Sequence, residues 1–146
     1  MSKAPVSAVV LTYNEEDNLR DCLESLVGWA DQVFVVDSFS DDDTLAIAEE
    51  YTDLIFEHEF ENYAAQRNWA QRELPLAHDW VFHIDADERV TPELADEITG
   101  ILQPPPENID GYLVAVHSLY LRRLFRRGAR RPEARHHEQH HLSDGT

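Results

Sequence analysis

The chain has 146 residues, 42% of them hydrophobic, and a formal net charge of −17. That length supports one domain with a real core. The acidic balance argues against nucleic acid as a partner, since phosphate neutralisation needs Lys and Arg, and no apolar run approaches the roughly 20 residues of a membrane-spanning helix. The charge is unevenly spread: residues 1–121 hold 26 acidic and 5 basic side chains, whereas residues 122–146 hold 7 basic and 3 acidic ones with four of the eight histidines. Met1-Ser2-Lys3-Ala4-Pro5 leads into a strand-like run rather than the apolar core of a signal peptide, so a cytoplasmic location is expected.

In chain order, Val6 to Leu11 is a valine-rich run of strand length that ends at Thr12-Tyr13-Asn14. Leu19, Cys22, Leu23, Leu26 and Val27 then recur at the spacing of one buried helix face. Cys22, the single cysteine, reads there as a small core residue in a reducing compartment. Gln32 to Val36 is a second strand, closed by Asp37-Ser38-Phe39-Ser40. Asp41-Asp42-Asp43 suits the first turn of a helix running to about Tyr51, where negative charge meets the positive end of the dipole. No chemistry is assigned to those three acids.

Leu54 to Phe56 is a short third strand, and Asn62 to about Glu73 a helix with Tyr63, Ala70 and Leu74 facing inward. Asp79 to Ile84 is the fourth strand. Thr91-Pro92 opens another helix, with Thr as cap, Pro at the first helical position, and Leu94, Ile98, Ile101 and Leu102 apolar. Tyr112 to Val116 is the fifth strand. Beyond it the periodicity dissolves, which predicts a folded part over residues 1–118 and a basic, His-rich, loosely ordered tail over 119–146.

Strands alternating with helices predict βαβ units and an α/β fold with a mostly parallel, doubly wound sheet. Ligands on such sheets bind at the carboxyl ends of the strands, and three of those ends carry polar clusters: Thr12-Tyr13-Asn14, Asp37-Ser38 and Asp85-Ala86-Asp87. The last is the most informative, because the apolar run Trp80 to Ile84 stops dead at two acids one residue apart. Such a pair is costly unless a cation or hydrogen-bond donors compensate it.

Other chemistries are excluded. None of Gly28, Gly100, Gly111, Gly128 and Gly145 lies in the first strand–helix turn, so a dinucleotide fingerprint and a P-loop are both absent, as is a G-x-S-x-G elbow. A receiver-like signalling domain needs an acid at the end of strand three and a late lysine; Phe56 stands at the first position, and Lys3 is the single lysine. What remains is a metal-dependent nucleotide-diphosphate site. Asp87, aided by Asp85, holds Mg²⁺ or Mn²⁺, which neutralises charge on a departing diphosphate, and Asp37 is placed to bond a base or ribose.

Four motifs then resemble one family in order. Val9-Val10-Leu11-Thr12-Tyr13-Asn14-Glu15-Glu16 is similar to the opening strand and loop of the family 2 glycosyltransferases, and Val35 to Thr44 to their second strand and acidic follow-on. Ala65-Gln66-Arg67-Asn68 resembles their helix beside the nucleotide, and Asp85-Ala86-Asp87 their D-x-D. The resemblance covers roughly residues 5–115 and is nearest in flavour to bacterial transferases of lipopolysaccharide core and related surface glycans. It implies a GT-A fold, incomplete in its C-terminal part, and inverting transfer of a sugar from a nucleotide-sugar, usually a uridine one, to a glycan or lipid-linked acceptor.

Carried over by position, Thr12 and Tyr13 line the nucleoside pocket, Glu15 its edge, Asp37 the base and Arg67 the nucleotide. Asp85 lies near the ribose or metal, and Asp87 ligates the metal. The family's general base lies well after the D-x-D, in a half that also binds acceptor. Leu121 to Gly145 resembles that later region in part, which makes Glu138 the base candidate, while His136, His137, His140 and His141 read as a polar tail. The basic stretch Arg122-Arg123-Leu124-Phe125-Arg126-Arg127 suits peripheral contact with anionic lipid on the cytoplasmic face of the inner membrane. The alternative to a working enzyme is a catalytically inactive, truncated nucleotide-sugar-binding module, which shares all four motifs.

Overall fold

A computed structural model describes residues 3–108, 110–115, 121–126 and 139–142. The chain begins with β1 (Ala4–Thr12), α1 (Leu19–Glu24), β2 (Ala30–Asp37), α2 (Thr44–Glu49) and β3 (Ile55–Glu57). It continues with α3 (Tyr63–Glu73), β4 (Trp80–Asp85), α4 (Pro92–Ile101), β5 (Gly111–Ala115), β6 (Leu121–Arg126) and β7 (Gln139–Leu142). The strands form one sheet in the order β3-β2-β1-β4-β6-β5-β7. Pairing is parallel from β3 to β4 and between β5 and β7; β6 runs against both neighbours, β4 and β5. The expected mostly parallel α/β sheet is thus what forms.

The near-continuous apolar runs of β1, β2 and β4 follow from helices covering both faces of the sheet. On one face Val6, Ala8 and Val10 of β1, Val35 of β2 and Phe82 and Ile84 of β4 pack under Leu19, Cys22 and Leu23 of α1, Ala48 of α2 and Leu94 and Ile98 of α4. On the other face Val9, Phe34, Val36 and Val81 meet Ala70 and Leu74 of α3. Alternate residues of each strand therefore feed two cores.

Local chemistry fixes the helix starts. Thr91 Oγ1 accepts from Leu94 N at 3.2 Å with Pro92 in the first turn, as the sequence predicts. Asn62 Oδ1 caps α3 by accepting from Ala65 N at 2.8 Å. Tyr63 does not face inward: it is exposed, because the inward stripe of α3 runs through Gln66, Ala70 and the capping residue Leu74. Gln66 is buried although polar, since its amide donates to Ser38 Oγ and to His58 O, both at 3.2 Å, and its oxygen lies 2.7 Å from His58 Nδ1.

The second departure lies late in the chain. The segment expected to be loosely ordered contributes β6, which enters the sheet between β4 and β5, and β7, which extends it beyond β5. Trp80 pairs with Arg126 and Phe82 with Leu124, so the basic stretch is in part a sheet strand rather than a free tail. Its backbone finds partners on both sides, a gain that no local periodicity announces.

Candidate active site

β1 lies between β2 and β4: the chain runs outward from β1 through β2 to β3, and the crossover through α3 then returns past β1 to β4, which makes the carboxyl ends of β1 and β4 a topological switch point. The register brings three strand ends level: Thr12 pairs with Asp37, and Leu11 with Asp85. A cleft of about 580 Å³ opens there. Leu11, Thr12, Tyr13 and Glu15 line its middle, Ser38 and Phe39 the β2 side, and Asp85, Ala86 and Asp87 the β4 side. Glu59, Phe60 and Tyr63 complete the wall from the segment that leads into α3.

The loops after β1 and β2 are laced together. Thr12 Oγ1 donates to Asp37 Oδ1 at 2.6 Å, and Ser40 donates through N to Oδ2 at 2.8 Å and through Oγ to Oδ1 at 2.6 Å. Ser40 Oγ in turn accepts from Asn14 N at 2.8 Å, and Asn14 Oδ1 from Asp41 N at 2.9 Å. One step further, Thr44 Oγ1 accepts from Glu15 N at 2.8 Å and donates to Asp42, whose other oxygen takes Glu16 N at 3.3 Å. Asp37 is therefore fully buried and is not among the residues lining the cleft; it holds in place those that are.

The β4 side is built differently. Asp85, Asp87 and Glu88 bring one carboxylate oxygen each within 4.8 Å of one another. Glu88 folds back on the strand end, its Oε1 accepting from Asp85 N at 2.9 Å while its own N donates to Asp85 O at 3.0 Å. Arg67 of α3 places Nη2 3.7 Å from Asp85 Oδ1 and its guanidinium over the Tyr63 ring, 5.7 Å from the centroid. Glu15 faces this cluster. Burial first, and then the charges of Asp87, Asp85 and Asp42, raise its carboxyl above the ordinary carboxylate range, against a hydrogen bond from Asn18 that lowers it. A divalent cation relieves such mutual repulsion. Asp85, Asp87 and Glu88, with one oxygen each within 4.8 Å of the others, would hold a hard divalent cation such as Mg²⁺ or Mn²⁺.

Of the residues singled out in the sequence, Thr12, Tyr13, Glu15, Asp85 and Asp87 line this one cleft, and Arg67 meets it through Asp85. Glu138 lies outside the described residues, as do His136 and His137, while His140 and His141 belong to β7. Other residues of the site were not singled out in the sequence, among them Phe39, Phe60 and Tyr63 of the cleft wall. Glu88 carried one signal, an acid directly after the D-x-D, and Gln66 was noted only as part of the motif that holds Arg67.

The profile of glycosyl transferase family 2 matches residues 7–140. The chain belongs to that family. An uncharacterized glycosyltransferase of Rickettsia conorii is 39% identical over 108 residues, 74% of this chain and 37% of the relative. The lipopolysaccharide core biosynthesis glycosyltransferase LpsC of Rhizobium meliloti is 36% identical over 118 residues, 77% of this chain and 42% of LpsC. This family 2 chain thus spans well under half the length of these relatives. Among solved structures, residues 1–349 of S. aureus TarS in complex with UDP-GlcNAc share the fold at a TM-score of 0.60 and 24% identity, over 80% of this chain and 34% of that fragment. Glucosyl-3-phosphoglycerate synthase of Mycobacterium tuberculosis, in complex with Mn²⁺, UDP and glucosyl-3-phosphoglycerate, does so at 0.62 and 20%, over 79% of this chain and 45% of the synthase. Among the described residues no helix is long and apolar enough to cross a membrane.

Proposed function

We propose that this chain forms the donor-binding part of an inverting, metal-assisted glycosyltransferase that takes its sugar from a nucleotide-diphosphate donor, UDP-linked, and passes it to a glycan or lipid-linked acceptor. The observation that carries the reading is the polarity of the cleft. Carboxylates gather at the β4 end, aromatic rings at the β2 and α3 end, and the β1 loop runs between them. A nucleoside diphosphate has the same polarity, with an apolar ring at one end and an anion at the other that carboxylates hold through a metal. The UDP complexes of TarS and of the mycobacterial synthase, the latter with Mn²⁺, support the choice of nucleotide and ion.

Asp85, Asp87 and Glu88 are the residues that would hold the ion. When bound, it supplies Lewis-acid neutralisation of the charge that develops on the leaving diphosphate. Arg67 adds a guanidinium beside Asp85, and its contact with the Tyr63 ring links the aromatic side of the cleft to the carboxylate side. Thr12, Tyr13 and Glu15 form the floor under the nucleoside, and Asp37 acts through the Thr12 and Ser40 bonds that shape the floor. Glu138 remains the base proposed by the family resemblance. The relationship to LpsC supports a glycan or lipid-linked acceptor. Contact of the basic segment with the inner membrane's cytoplasmic face rests on charge alone.

The decisive test is the melting temperature with UDP, with and without Mn²⁺, on wild type and Asp87→Ala. A ligand at about 100 times its Kd adds about 2.7 kcal/mol, a rise of roughly 5–10 °C at this size. The rise is expected only with both metal and Asp87 present; no rise, or a rise indifferent to Asp87, overturns the assignment. Transfer of a labelled sugar from the donor then separates a working transferase from a nucleotide-sugar-binding module.

A further inference from the structure

We infer that Phe39 is a nucleoside-binding residue, a ring held over the cleft by a strained backbone so that it presents its face to the base of the donor. The inference rests on the donor-site reading above and adds a residue to it.

Phe39 has φ of 61°, and it and Asn14 (φ 50°) are the non-glycine residues with positive φ among the described residues. Asn tolerates the left-handed region; a bulky aromatic residue there is a strained outlier. Phe39 cannot relax, because both neighbours are pinned. Ser38 N donates to Thr12 O at 3.0 Å, and Ser40 is bonded through N and Oγ to the two oxygens of buried Asp37. The residue is also 58% exposed, so the strain is not offset by burial. A glycine would occupy this turn without strain, and a polar residue would avoid exposing the ring. Backbone strain combined with an exposed ring marks a contact with something outside the chain.

The cleft says what that contact is. Among the described residues the exposed large apolar side chains are Tyr13, Phe39, Phe60 and Tyr63, and all four line it. Phe39 stands on the β2 side, across the β1 loop from Asp85 and Asp87. With the diphosphate drawn to the β4 carboxylates, the base extends toward the β2 side, where Phe39 offers it a flat apolar face.

Titration calorimetry with Mn²⁺ tests this on wild type, Phe39→Ala, Phe39→Gly and Phe39→Tyr, using UDP and, as a ligand without a base, inorganic diphosphate. Phe39→Ala and Phe39→Gly are expected to weaken UDP about tenfold or more, as removing a base-stacking ring does, and to leave diphosphate within about twofold. Phe39→Tyr keeps UDP affinity near wild type. Phe39→Gly melts no lower than Phe39→Ala without ligand, which separates lost binding from lost folding. UDP affinity within about twofold of wild type in both the Ala and Gly variants overturns the inference and leaves the donor-site reading standing. A wild type that binds neither UDP nor diphosphate overturns both.

Discussion

Two groups of acids stand at the carboxyl edge of one sheet and are treated in opposite ways. Asp37 and Asp42 are met by donors from their own chain: three hydrogen bonds reach Asp37, and Asp42 takes bonds from Thr44 and from Glu16 N. Asp85, Asp87 and Glu88 are instead crowded against one another, within 4.8 Å, and Asp87 and Asp85 add to the pressure on Glu15. The first group binds the β1 and β2 loops into a fixed wall. The second concentrates negative charge where a cation can enter. Acid content alone distinguishes neither; the donors around each carboxylate do.

The largest expected effect breaks the first group. Asp37→Ala removes the acceptor for Thr12 Oγ1, Ser40 N and Ser40 Oγ in a fully buried position. Leaving such donors without an acceptor costs about 3 kcal/mol, a fall in Tm of roughly 10 °C, read by thermal and urea unfolding. Asp37→Asn retains an acceptor oxygen and falls between. A melt of Asp37→Ala within about 2 °C of wild type would show that the wall does not depend on this carboxylate.

Asp87→Ala does the reverse. It removes one member of a crowded set, so stability without ligand is unchanged or slightly raised, while the ligand-dependent gain of about 2.7 kcal/mol disappears. Differential melts in UDP and Mn²⁺ read both quantities at once. Equal and opposite behaviour of the two variants, one losing fold and keeping residual binding, the other losing binding and keeping fold, is what the comparison requires.

How much of this could be read in the sequence follows the same division. The valine-rich strands, the Thr91-Pro92 helix start and the abrupt stop at Asp85 are local signals, and each stands where it was expected. Thr12, Tyr13, Glu15, Asp85 and Asp87 converge because parallel strands put their carboxyl ends at one edge. Asp37 was read as a base or ribose contact from its place at the end of strand two; its bond to Thr12, 25 residues away, and its burial are properties of the packed sheet that no local signal carries. Tyr63 was assigned inward because hydropathy passes over Gln66, whose burial depends on Ser38 and His58, neither of them on its own helix. β6 was missed for a similar reason. Its arginine-rich sequence has no clean alternation, and its pairing with β4 joins residues 40 to 46 positions apart.

His83 sharpens the contrast from the opposite direction, as a buried group kept neutral where Asp37 is a buried acid met by donors. It lies on β4 two residues before the acidic loop, 3.0 Å from Gln71 Nε2, which donates to its Nε2. Burial, and then the nearby charge of Arg67, push its pKa down to about 3 from an ordinary value of 6.5. The unfolded chain therefore takes up a proton near pH 6.5 that the folded chain refuses until far lower. Stability from this group is complete above pH 6.5 and is lost as pH falls toward 3, at up to about 1.4 kcal/mol per unit. Most carboxylates add their own losses below pH 5, and Glu15, raised by burial, changes stability in the opposite sense, so the histidine is read as the difference in slope between wild type and His83→Gln from pH 6.5 to 5. Urea unfolding across that window should show a fall of about 2 kcal/mol in wild type. His83→Gln, which cannot titrate, should flatten it even where the variant is less stable overall. A slope of equal size in His83→Gln would assign the loss to other groups and remove His83 from the contrast.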